Sequence, residues 1–271
     1  MIVDYHLHLR DDQGRVAHMS DAVLPFVATA LARGVDEIGF TEHVYYFRQT
    51  AEIWDVPYLS ERCVHDLDAY CDAVLEAKQR GLPVKLGIEV DYVGDRQERL
   101  AELLEPYPWD FRLGSVHWLD GMAVDMSPGA WEVMTVDEVW QRYTDALCEL
   151  VVGQTVDVLA HPDLPKIFGR RPPDAMLAEL HAQAALAIAA SDVAVEISTA
   201  GLRKPVGELY PDAAFLEACA RAGASVTLAS DAHEPGLVGA DFDQALALAR
   251  STGCKTVAIY EGRESHAEPL G

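Results

Sequence analysis

Apolar and polar positions alternate between two periods along the chain. Short β-rich runs occur at Ile2–Asp4, Glu37–Phe40, Val84–Val90, Phe111–Val116, Val156–Ala160, Val193–Ile197 and Ser225–Ala229. Between them the period lengthens to that of amphipathic helices. These span Ser20–Arg33, Ser60–Arg80, Asp95–Leu104, Thr135–Val152, Asp174–Ala190, Pro211–Ala222 and Asp241–Ser251. Ser20 and Ser60 read as N-caps, and Gly34, Gly81, Gly223 and Gly253 as stops. Pro25 falls inside the first helix, which predicts a late or distorted start. A last short strand is expected at Thr256–Tyr260.

Repeated β-to-α units with no break in composition predict one α/β domain over residues 1–271, built on a parallel sheet. Right-handed crossovers would curl that sheet into a barrel short of the usual eight strands. Two loops, Val44–Leu59 and Leu119–Met134, are long and rich in aromatics. Both follow strand ends, the face on which barrels build their sites.

Composition narrows the classes. Hydrophobic residues make up 50% of the chain, enough for a large core. No apolar run approaches the roughly 20 residues that span a bilayer. The N-terminus lacks the pattern of a signal peptide, so cytoplasm is expected. Five cysteines without a Cys-x-x-Cys read as buried thiols. The net charge of −23 argues against nucleic-acid and anionic-membrane partners. An anionic substrate would need local charge reversal, which bound cations supply.

The strand ends carry the chemistry. The first gives His6 and His8, which point to the same side of a strand. The second gives Glu42 and His43, the third Glu89, the fourth His117, the fifth His161, the sixth Glu196, and the seventh Asp231 and His233. Zinc, manganese and iron all take imidazole nitrogen and carboxylate oxygen. So many donors exceed the needs of one ion, which predicts two or three sharing a carboxylate. His65, His181 and His266 lie off the strand ends and read as exposed or structural. His18, just before the first helix, reads equally as a loop residue or a ligand, with Asp11 and Asp12 competing.

Asp-x-His-x-His, Thr-Glu-His, Gly-x-Glu, Ser-Val-His, Ala-His-Pro-Asp and Ser-Asp-Ala-His, in this order, resemble the PHP (polymerase and histidinol phosphatase) superfamily. The resemblance covers nearly the whole chain. It implies a distorted seven-stranded β/α barrel with a trinuclear metal centre. One ion would take His6, His8, Glu89 and Asp231. A second would share Glu89 and take His117 and His161. The third would take His43, His233 and a residue of the first loop. Where many relatives carry that loop histidine this chain has Gly14, so His18 is expected instead, with Asp12 second.

The segment from Glu196 to Pro211 resembles histidinol-phosphate phosphatases. It implies that Arg203 and Lys204 bind a phosphomonoester, an assignment consistent with the fork of Arg and the point charge of Lys. The expected reaction is hydrolysis of L-histidinol phosphate by metal-activated water. Arg203 would stabilise the transferring group, and Asp163 is a candidate acid for the leaving oxygen. The aromatic loop bearing Tyr45, Tyr46, Phe47 and Trp54 would either close over an imidazole or simply pack. Competing readings are a phosphodiesterase, an amidohydrolase and a non-catalytic metal module. The missing basic groove disfavours the first, Glu89 in place of a bridging Lys the second, and the retained ligands the third.

Overall fold

The computed structural model describes residues 1–9, 19–126 and 129–271. Strands β1 (Val3–Leu7), β2 (Glu37–Phe40), β3 (Val84–Asp91), β4 (Phe111–Ser115), β7 (Val158–Leu159), β8 (Ala194–Ser198) and β9 (Val226–Ala229) form one parallel sheet in that order. A small hairpin, β5 (Trp118–Leu119) and β6 (Met122–Ala123), follows β4. The sheet closes on itself beyond β9. His8 N donates to Ala232 O at 2.8 Å, and Ala232 N to His6 O at 3.2 Å. Helices α1 (Leu24–Ala32), α2 (Pro57–Ser60), α3 (Leu67–Gln79), α4 (Gln97–Leu104), α5 (Val136–Val152), α6 (Asp174–Ala190), α7 (Ala213–Ala222) and α8 (Phe242–Ser251) surround it. The result is a nearly closed barrel of seven parallel strands.

Local chemistry accounts for the element limits. Pro25 sits in the first turn of α1, where its missing N–H costs nothing, and a short 3₁₀ turn at Ser20–Val23 leads in. The helix expected over Ser60–Arg80 is two pieces. Ser60 ends α2, and Asp66 caps α3 by accepting from Asp68 N and Ala69 N. Thr135 and Glu138 form a capping box at the start of α5. Among the described residues no helix is long and apolar enough to cross a membrane.

The barrel interior is filled from its lower end. Val3, Tyr5, Phe111, Leu113, Val158, Ala160 and Ala194 pack with Val257, Ala258, Ile259 and Tyr260 of β10 (Thr256–Glu261). Gly39 and Gly87 leave the space that the Phe111 ring occupies, since a Cβ there would come within 2.8 Å of it. The strand expected at Thr256–Tyr260 is the first arm of a hairpin. Its antiparallel partner is β11 (Glu264–Pro269), which includes His266. With the lower end plugged by apolar side chains, the open end holds the polar ones.

Candidate metal centre

Glu89, fully buried near the end of β3, stands at the middle of the upper rim. Its two oxygens face different histidines. Oε2 lies 3.4 Å from His6 Nε2, 3.7 Å from His8 Nε2 and 2.7 Å from His43 Nδ1. Oε1 lies 3.6 Å from His117 Nε2 and 3.5 Å from His161 Nε2. Asp231 Oδ1 is 3.7 Å from His6 Nε2, 3.5 Å from His8 Nε2 and 3.7 Å from His233 Nδ1. Most of these gaps are too long for hydrogen bonds. They match the ligand-to-ligand edges around an ion whose bonds are about 2.0–2.2 Å long. His6 Nε2, both His8 ring nitrogens and both Glu89 oxygens are buried without a hydrogen-bond partner. Buried polar atoms are rarely left so, and the donor set suits divalent cations. Donor atoms of His6, His8 and Asp231, of His6, Glu89 and His161, of His8, His43 and His233, and of His43, Asp91 and His117 each fall within 4.8 Å of one another.

A second layer orients these rings. Glu196 Oε2 pairs with His6 Nδ1 at 2.8 Å, while its Oε1 accepts from His161 N at 3.2 Å. Asp91 Oδ1 pairs with His117 Nδ1 at 2.7 Å. Each such carboxylate fixes a tautomer and turns the other ring nitrogen inward. Asp4 accepts from Ser230 N, Ser230 Oγ and Gly239 N, which anchors the turn bearing Asp231. His161 and Asp231 have φ of 25° and 51°, left-handed conformations that side chains seldom adopt without constraint from their surroundings.

The carboxylates make the rim a sink for positive charge. Burial opposes a charge on His6, but Glu196, Asp231 and Glu89 override it and hold its pKa well above the usual value. For His117 burial is likewise outweighed, by Asp91 and Glu89, and its pKa rises to about 9. Burial would raise the pKa of Glu89, yet His43, His6 and His117 keep it well below the usual range. His233 is driven down to about 3, first by burial and then by the charge of His8.

Above the rim opens a cavity of about 610 Å³, reached by His43, Glu89, His117, His161, Asp231 and His233. Tyr45 and Tyr46 line it, whereas Phe47 and Trp54 are buried behind them, so the aromatic loop divides between wall and core. The segment 57–66 supplies Tyr58, Glu61, Arg62 and His65, and the loop after β6 supplies Asp125. Lys204 lines the cavity as well.

Two expected residues are tied to neighbouring segments. Arg203, exposed beside Lys204, donates to the backbone oxygens of Ser230 and Thr199 and so staples the Asp231 turn. Asp163 is fully buried, 2.7 Å from Lys166 Nζ and accepting from Asp212 N. His18 and Asp12 lie outside the described residues. Sequence reasoning missed Asp91, Asp125 and His65. Only Asp91 carried a sequence cue, standing two residues beyond Glu89 as His8 does beyond His6.

A parallel β/α barrel whose strand ends converge on a shared buried carboxylate is a metal-centre barrel. Within that class the chain belongs to the PHP domain family, whose model matches residues 4–200. A protein of Deinococcus radiodurans described as "probable histidinol-phosphatase" is 30% identical over 261 residues, covering 94% of this chain and 95% of that protein. A like-named protein of Schizosaccharomyces pombe is 23% identical, covering 90% and 85%. The solved histidinol phosphate phosphatase of Lactococcus lactis, complexed with Zn, L-histidinol and phosphate, superposes with a TM-score of 0.77 at 21% identity. That superposition covers 98% of each chain.

Proposed function

We propose that the chain is a metal-dependent phosphatase that converts L-histidinol phosphate to L-histidinol and phosphate, as a single catalytic unit. The observation that carries this reading is Glu89, which offers one oxygen to His6 and His8 and the other to His117 and His161. A carboxylate so flanked is suited to bridge two cations, and His43 with His233 provides donors for a third. Zinc, manganese and iron all suit the set. The family membership and the similarity to the Deinococcus protein support the choice of substrate.

Divalent ions held by these histidines and carboxylates would acidify a water and screen the charge of a phosphate. The chain's own groups do the remaining work. Glu196 and Asp91 hold His6 and His117 in their ring orientations. Asp4 and Arg203 fix the turn that presents Asp231. Lys204 brings a positive point charge to the cavity, where it can meet phosphate oxygens. Tyr45 and Tyr46 flank His43, with Tyr45 stacked on its ring at 4.8 Å, and limit access of bulk water.

Purified protein should carry more than one equivalent of metal by elemental analysis and release phosphate from L-histidinol phosphate. Verified removal of metal should abolish turnover. Undiminished hydrolysis by the stripped protein would exclude this reading.

A further inference from the structure

Most charged side chains that hold the barrel together are paired. Lys78 with Asp110, Arg263 with Asp157 and Lys166 with Asp163 are examples. The cavity above the metal centre differs. Among its lining residues Arg62 is spent, stacked 3.4 Å over the Tyr58 ring and donating to Tyr58 O. Asp125 and Lys204 have no side-chain partner among the described residues, although both line the cavity.

The position of Asp125 follows from the β5–β6 hairpin. Trp118 pairs with Ala123 and Leu119 with Met122, and Val124 N then donates to His117 O at 2.9 Å. The chain is thereby folded back so that Asp125 comes one residue after the backbone partner of a metal-centre histidine. It is close enough to add to the field that raises the pKa of His117. Asp125 is half-buried and presents a carboxylate to the cavity.

We infer that Asp125 receives the ammonium group of a vicinal amino alcohol, and so selects phosphate esters with an amine on the carbon next to the ester carbon. The inference rests on the phosphatase reading and sharpens it. In such an ester the ammonium cannot stray far from the ester oxygen. A carboxylate beside the metal centre can reach it. The imidazole then meets the rest of the lining, which includes Tyr58 and His65. A half-buried carboxylate opposed to an ammonium also rejects substrates that place nothing, or an anion, at that point.

The test compares L-histidinol phosphate with its deamino analogue, in wild type and Asp125→Asn of equal verified metal content. Wild type should prefer the amine by about 10- to 100-fold in kcat/KM, the scale of a hydrogen bond to a charged group. Asp125→Asn should lose that preference, through a rise in KM for the amino ester that the deamino ester does not share. A parallel fall for both esters, or no change for either, overturns the assignment. Calorimetric binding of L-histidinol to the same two proteins gives a readout without turnover. Binding by wild type and at least about ten-fold weaker binding by Asp125→Asn is expected, and equal binding overturns the assignment. If wild type hydrolyses neither ester the phosphatase reading fails, and calorimetry still decides the role of Asp125.

Discussion

The two ends of the barrel use the same residue types for opposite purposes. At the lower end charges are paired off. Asp157 takes both guanidinium arms of Arg263, Asp110 takes Lys78, and Glu261 takes Lys78 and Lys85. These pairs clamp the β10–β11 hairpin under an apolar plug. At the upper end buried polar atoms of His6, His8 and Glu89 are left without hydrogen bonds. The lower end is organised for stability. The upper end keeps donor atoms available for cations at a cost in stability that the rest of the fold must offset. Carboxylates appear at both ends, so what separates structure from function is whether the partner lies within the chain.

That contrast can be broken experimentally, most sharply at Glu89. Glu89→Gln should lower kcat/KM by at least about 1000-fold, roughly 4 kcal/mol, and cut bound metal. Undiminished turnover or full metal content in that variant would erase the division between the ends. At the plug, Tyr260→Ala should cost about 3–5 kcal/mol of stability, as large-to-small core changes do. Measured at a temperature where it stays folded, kcat should be unchanged, and a matching fall would show that the ends are coupled. Glu196→Gln and Asp91→Asn should each weaken metal binding by about 10- to 100-fold. Titration against a metal buffer would measure this, and unaltered affinity would demote the second layer to packing.

Arg203→Ala tests whether that residue acts through the Asp231 turn or on the phosphate. It should lower retention of metal and of activity together, with little change in KM for residual turnover. A rise in KM at full metal content would return Arg203 to the phosphate. The smallest effect is expected for Glu261, whose pKa is held near 2 by hydrogen bonds and charge from Lys85 and Lys78. A depressed carboxylate stabilises above its ordinary pKa, and the gain is lost as pH falls from about 4.5 toward 2. Because the side chain is largely exposed, Glu261→Gln should cost no more than about 1 kcal/mol at neutral pH. The difference from wild type should vanish in acid, as read by Tm against pH.

How legible the molecule was depended on the range of each interaction. Strand Glu37–Phe40 and helix Asp174–Ala190 match their sequence-derived limits, because apolar periodicity and end residues act locally. The histidines at strand ends were legible for the same reason, since parallel strands must deliver their C-terminal ends to one rim. The split at Ser60 was not legible, as Asp66 offers a competing cap whose advantage depends on Arg48 and Gln49 beside it. Strand β11 was hidden by its exposed, polar sequence, which is held only by pairing with β10. The partners of Arg203 and Asp163, Ser230 O and Asp212 N, were not legible because they lie 27 and 49 residues away.

By itself the chain determined its alternation of strands and helices, the side on which His6 and His8 emerge, and the supply of metal-binding donors. Those properties follow from backbone period and from side-chain chemistry, which neighbours in sequence already settle. Only the folded structure decided which charged groups are consumed by one another and which remain to face a ligand. Pairing and desolvation depend on atoms brought within a few ångströms from distant segments. Glu196 closing on His6 across 190 residues, and Asp4 on Ser230 across 226, are outcomes of that convergence.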